Sequence, residues 1–102
     1  MKILHLTLKK KWFDLIASGE KIHEFRQIKP YWEKRLLDEQ YNPIKFDEVR
    51  FRNGYKKDAP FMRVKWLGMA IGLPKWWWPK HGENIDKLSF IIQLGSVLEV
   101  RP

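Results

Sequence analysis

The chain has 102 residues, 44% of them hydrophobic, enough to close one core and too few for two, so a single domain over residues 1–102 is expected. Twenty Lys and Arg against twelve Asp and Glu leave a formal charge of +8 and a pI near 9.8, a field that favours nucleic acid or other phosphate-bearing partners, although a basic surface serving only solubility has the same composition. Cysteine is absent, which excludes a disulfide framework, a Cys-based zinc site and a thiol nucleophile and makes the cytoplasm the expected compartment.

Met1 to Lys11 places a short apolar run ahead of its lysines, the reverse of a secretory leader, and no stretch approaches the roughly 20 apolar residues of a membrane span, so no membrane partner is expected. Leu4, Leu6 and Leu8 alternate with Ile3, His5 and Thr7, which predicts a first strand. Lys9 to Ser18 changes to helical spacing, with Trp12, Leu15 and Ile16 on one stripe and Gly19 as the stop. Lys21 to Ile28 returns to strand, with Ile22, Glu24 and Arg26 on one face and Lys21, His23 and Phe25 on the other. Pro30 opens a second helix over Tyr31 to Gln40, its stripe formed by Trp32, Leu36 and Leu37, and Asn42-Pro43 marks a turn.

Phe46 to Arg52 alternates Val49 and Phe51 against Arg50 and Arg52, and Asn53-Gly54 carries a hairpin-turn signal. In the strand from Phe61 to Ile71, Met62, Val64 and Trp66 alternate with Arg63 and Lys65, and Gly68 and Gly72 suggest bends. Residues 73–87 have no clean period and read as a long loop; Leu88 to Leu94 and Val97 to Val100 read as a closing hairpin around Gly95-Ser96. A β-α-β-α order followed by four strands predicts an α+β fold, a small, partly open barrel carrying two short helices.

Three clusters carry candidate chemistry. In the segment from Gly19 to Arg26, Glu24 beside Arg26 presents an ionised acceptor and a planar donor to a polar ligand; the same spacing fits a plain ion pair on an exposed face. From Arg50 to Lys57, basic residues interleave with Phe51 and Tyr55, a pattern suited to phosphate contact and base stacking, or to an ordinary half-buried strand and turn. Trp76, Trp77 and Trp78, between Lys75 and Lys80, offer a stacking ring, a lid over the core or a contact with another protein. Lys10, within Lys9-Lys10-Lys11 at the start of the first helix, is a further phosphate candidate or a solvated turn. His5, His23 and His81 lack metal-ligand spacing, so no metal and no cofactor are expected.

Gly19, Lys21 and Arg26, in the pattern Gly-x-Lys-x-x-x-x-Arg just after a helix, resemble the signature of the ASCH domain. The similarity continues through Lys29-Pro30-Tyr31-Trp32 and Val49-Arg50-Phe51-Arg52-Asn53-Gly54-Tyr55, as in phage and bacterial ASCH-like proteins, and covers the chain from Lys2 to Gly72 with a compatible β end from Leu88. The resemblance implies a PUA-like β-barrel of five to six strands with two short helices and a cleft for RNA, nucleotides or modified bases. Lys10, Lys21, Glu24, Arg26, Tyr31, Arg52, Asn53, Tyr55 and Trp77 are the expected ligand-binding residues, in a monomer or weak homodimer. Some family members hydrolyse acylated cytidine with the motif lysine, a threonine three residues later and a distant glutamate. Lys21 matches the lysine, but Glu24 stands at the threonine position, so that nucleophile is missing. In a ribonuclease, Lys21 would be the electrostatic stabiliser, Glu24 the general base and Arg26 the phosphate clamp. An accessory protein that docks a partner through the tryptophan tract is the third expectation.

Overall fold

Among the described residues, branched and aromatic residues at alternate positions form five strands, and three short segments with Pro or helix-forming residues coil into helices. The computed structural model describes residues 1–77 and 87–102. In chain order the elements are β1 (Ile3–Thr7), α1 (Lys10–Ala17), β2 (His23–Gln27), α2 (Pro30–Leu36), β3 (Glu48–Arg52), β4 (Phe61–Gly72), α3 (Pro74–Trp77) and β5 (Ser89–Arg101). The backbone ladders give the strand order β1-β3-β4-β5-β2. No helix among the described residues is long and apolar enough to cross a membrane.

The chain divides into two compact units, each assembled from separate stretches. The first comprises Met1–Ile22, Phe46–Leu67 and Leu94–Pro102, the second His23–Lys45 and Gly68–Gln93. In the first unit β1 runs parallel to β3, and β3 runs antiparallel to β4. The registers Leu4↔Val49↔Val64 and Leu6↔Phe51↔Met62 place these six side chains on one face, where all are buried. The rows Ile3↔Glu48↔Lys65, His5↔Arg50↔Arg63 and Thr7↔Arg52↔Phe61 fall on the other face, which is therefore dominated by charge. Helix α1 buries Phe13 and Ile16, whereas Trp12 and Leu15 of the expected stripe are only half-buried. Gly19, at φ +84°, takes the left-handed position that ends the helix.

In the second unit β2 pairs antiparallel with the first half of β5, and Glu24 and Arg26 oppose Ile92 and Phe90. Helix α2 starts with Pro30 in its first turn, as expected, but ends at Leu36 instead of continuing to Gln40. The cause is local: the Asp38 carboxylate accepts the backbone N–H groups of Gln40 and Asn42, a turn that competes with further helix, and Tyr41 sits at φ +62°.

Three further expectations need correction. Asn53-Gly54 does not make a two-residue hairpin; residues 53–60 connect β3 to β4, because Tyr55 to Pro60 offer no apolar alternation from which a strand can resume. The Asn53 N–H reaches the Pro60 carbonyl at 3.0 Å and closes the base of this connection. Residues 74–77 of the expected loop form a helical turn that Pro74 opens, while residues 78–86, with Trp78, Lys80 and His81, lie outside the described residues.

Gly95-Ser96 does not turn the chain, because β5 is one continuous strand; the closing segments therefore supply one strand, and the described residues hold five. Gly95 serves close approach instead. A β-carbon there would lie 3.0 Å from Leu67 Cδ2 and 3.3 Å from Lys65 Cβ. Gly95→Val is therefore expected to destabilise the chain by about 2 kcal/mol, as overpacking does. Leu67 is exposed and can be trimmed; urea unfolding of Gly95→Val/Leu67→Ala should recover part of the loss, and simple additivity of the two changes would contradict this contact.

Candidate functional site

Buried charge is costly unless it is paired, so it marks side chains whose partners must be accounted for. Among the described residues the buried polar side chains are Lys21, Glu24, Glu48 and Ser89.

Lys21 belongs to the first unit. The turn at Gly19 brings its N–H to the Leu15 carbonyl at 3.0 Å, and the side chain follows inward until only 2% of the residue is exposed. Its ammonium lies 4.1 Å from the centre of the Trp12 ring, with Lys11 at 4.7 Å from the same ring. The ring supplies negative π density where bulk water is lost. Lys10 is different: it is exposed and donates to Asp14 at 2.6 Å, one helical turn on, a solvated pair of small energetic weight.

Glu24 and Arg26 belong to the second unit. They share a face of β2, and Arg26 Nη2 donates to Glu24 Oε2 at 2.7 Å. This pair is not the exposed one that its spacing also allowed, since the side chains are 7% and 18% exposed. Their cross-strand partners Ile92 and Phe90 are fully buried, which places the pair against apolar neighbours. The Arg26 guanidinium stands 4.8 Å from the Trp32 ring centre. Tyr31 packs edge-on against Trp32 and accepts a long bond from Arg35 at 3.4 Å, so cations and rings alternate along α2. Tyr31 is largely exposed.

Back in the first unit, Arg52 is exposed with its guanidinium 5.2 Å from the Phe61 ring. Asn53 is half-buried, and its Nδ2 is a buried donor with no hydrogen-bond partner among the described residues. Tyr55, at 93% exposed, projects from the 53–60 connection. Trp77 ends α3 in the second unit.

The structure adds one centre that strand alternation alone did not single out. Glu48 is 2% exposed and receives Arg63 Nε at 2.8 Å and Arg50 Nη2 at 3.0 Å; Arg63 also reaches Glu99, which in turn holds Arg101. The Arg63 hydrogen bond is the main reason that the Glu48 carboxyl titrates below its ordinary range; Arg50 adds to it and burial opposes it. Arg101, then Arg63, lower Glu99 in the same way, and Glu48 followed by Glu99 raise Arg63. The signal was present in the sequence as charges at period two, Glu48, Arg50 and Arg52 on one strand and Arg63 and Lys65 on the next.

Within each unit these groups accept and donate charge-assisted hydrogen bonds beside aromatic rings. Comparison with known proteins returned no matching family model, no matching curated protein and no matching solved structure.

Proposed function

We propose that this chain is an RNA- or nucleotide-binding module of the PUA-like, ASCH-related kind, with Lys21 in the first unit and Glu24 with Arg26 in the second as recognition residues. The observation that carries the reading is the burial of Lys21 and Glu24, three residues apart in the chain and at most 5% exposed. Removing such charges from water costs several kcal/mol each, and apolar side chains of similar size commonly give equal or better stability. A chain selected only to fold has little use for them; one that reads the polar edge of a base or a phosphate does. The net charge of +8 supports the same class of ligand through long-range attraction. The five strands, with short helices after β1 and β2, are compatible with a small barrel of the PUA-like type.

The experiment is direct titration of the purified chain with single-stranded RNA, single-stranded DNA and modified nucleosides at 50 and 200 mM salt. If about three phosphates are neutralised, RNA affinity should fall roughly tenfold to twentyfold across that range. Selective nucleoside binding with little salt dependence would place the recognition in a base pocket. Absence of saturable binding to all three ligand classes would end the proposal. Turnover of RNA or of an acylated cytidine, lost in Glu24→Gln with binding kept, would make the module an enzyme.

A further inference from the structure

We infer that a separate pocket in the first unit binds a terminal, dianionic phosphate group. The pocket, about 430 Å³, is lined chiefly by His5, Arg50, Arg52, Lys57, Phe61 and Arg101. Its volume falls in the range of small-molecule sites, about 300–1,000 Å³. Strand register assembles it: His5 opposes Arg50, Arg52 opposes Phe61, and the 53–60 connection brings in Lys57.

Charge decides the class of ligand. Among its lining side chains the pocket sets the cations Arg50, Arg52, Lys57 and Arg101 against one carboxylate, Asp58; Pro102 also lines it. Arg50 and Arg101 are held by Glu48 and Glu99, whereas Arg52 and Lys57 have no ion-pair partner among the described residues. The anchored guanidiniums contribute position, and the unpaired cations contribute unspent charge. Arg50 Nε is also a buried donor with no hydrogen-bond partner among the described residues.

Ring geometry then separates a phosphate from a base. Phe61 is 9% exposed, and the guanidiniums of Arg52 and Arg101 lie 5.2 and 5.0 Å from its centre. The ring is thus occupied in orienting two planar forks and presents little surface for stacking. Guanidinium forks match phosphate oxygens in pairs, which makes the terminal dianionic phosphate the recognised group.

The inference is independent of the role given to Lys21. Calorimetric titration of the full chain, in buffer free of phosphate, with inorganic phosphate, adenosine 5′-monophosphate and adenosine tests it. Phosphate and the nucleotide should bind and adenosine should not; tighter binding of the nucleotide identifies a nucleotide as the source of the phosphate, and equal binding identifies free phosphate. Arg52→Ala and Lys57→Ala should each weaken phosphate binding roughly fivefold to tenfold, while Lys45→Ala, which removes an exposed charge from the second unit, should leave it within about twofold. Equal affinity for adenosine and the nucleotide overturns the inference, as does an effect of Lys45→Ala as large as that of Arg52→Ala. Phosphate binding lost in Lys21→Met but kept in Arg52→Ala overturns the pocket and leaves the proposed function standing.

Discussion

Glu48→Ala is expected to destabilise the chain by about 3 kcal/mol, near the lower end for breaking a buried ion pair. The carboxylate is 2% exposed and serves two guanidiniums, so its removal strands Arg50 and leaves Arg63 with Glu99 alone. The cost stays near the lower end because both arginine side chains are about 30% exposed and can take up water. Urea unfolding monitored by tryptophan fluorescence measures it. The companion change Glu48→Met/Arg50→Met/Arg63→Met, which replaces the carboxylate together with both of its guanidinium partners, should lie within about 1 kcal/mol of the parent chain, because an apolar trio avoids the desolvation that the ions suffer. A single substitution that costs nothing would mean that water, and not Glu48, carries these arginines.

The same carboxylate gives stability an acid limb. Glu48 and Glu99 both titrate below the ordinary value of 4.5 when folded, so between the folded and unfolded values the unfolded chain binds more protons. Their contribution is therefore complete above the unfolded value and is lost as pH falls through the folded one. The urea midpoint should hold level from neutral pH down to roughly one unit above the ordinary carboxyl value and decline below it. In Glu48→Gln the decline should be shallower, and an unchanged acid limb would remove Glu48 from the account.

Much of the fold was legible because it is written in period-two and helical spacing. Leu4, Leu6, Val49, Phe51, Met62 and Val64 are apolar at alternate positions and all end on one face. The end of α2 was less legible, since Leu37 continues the apolar stripe, whereas the helix gives way to the turn in which Asp38 captures two N–H groups and the Leu36 carbonyl accepts the Ile44 N–H. Gly95 was misleading for a more general reason. A glycine that relieves a positive φ and one that admits a neighbouring side chain look identical in sequence, and only the position of Leu67 tells them apart. At the candidate site, the pairing of Glu24 with Arg26 followed from alternation, but its burial depends on Ile92 and Phe90, more than sixty residues away in the chain. Glu48 was missed on the same ground: a charged residue at the start of a strand looks solvent-facing until a second strand delivers Arg63.

Lys21→Met separates folding from recognition most sharply. The lysine is 2% exposed with its ammonium 4.1 Å from the Trp12 ring centre, and methionine, of similar length, can keep contact with the ring through its sulfur. Retained packing should hold the loss of stability to about 3 kcal/mol, the lower end for removing one charge from a buried, partnered set. Binding by the folded variant should fall further: loss of a buried charged donor to the ligand weakens affinity by roughly ten- to a hundredfold. Thermal unfolding and RNA titration of one preparation, carried out well below the unfolding midpoint, measure both quantities. A variant that is less stable and binds as before would show that Lys21 supports the fold through its charge and takes no part in recognition, whereas a folded variant with lost binding is what a lysine placed for a ligand predicts.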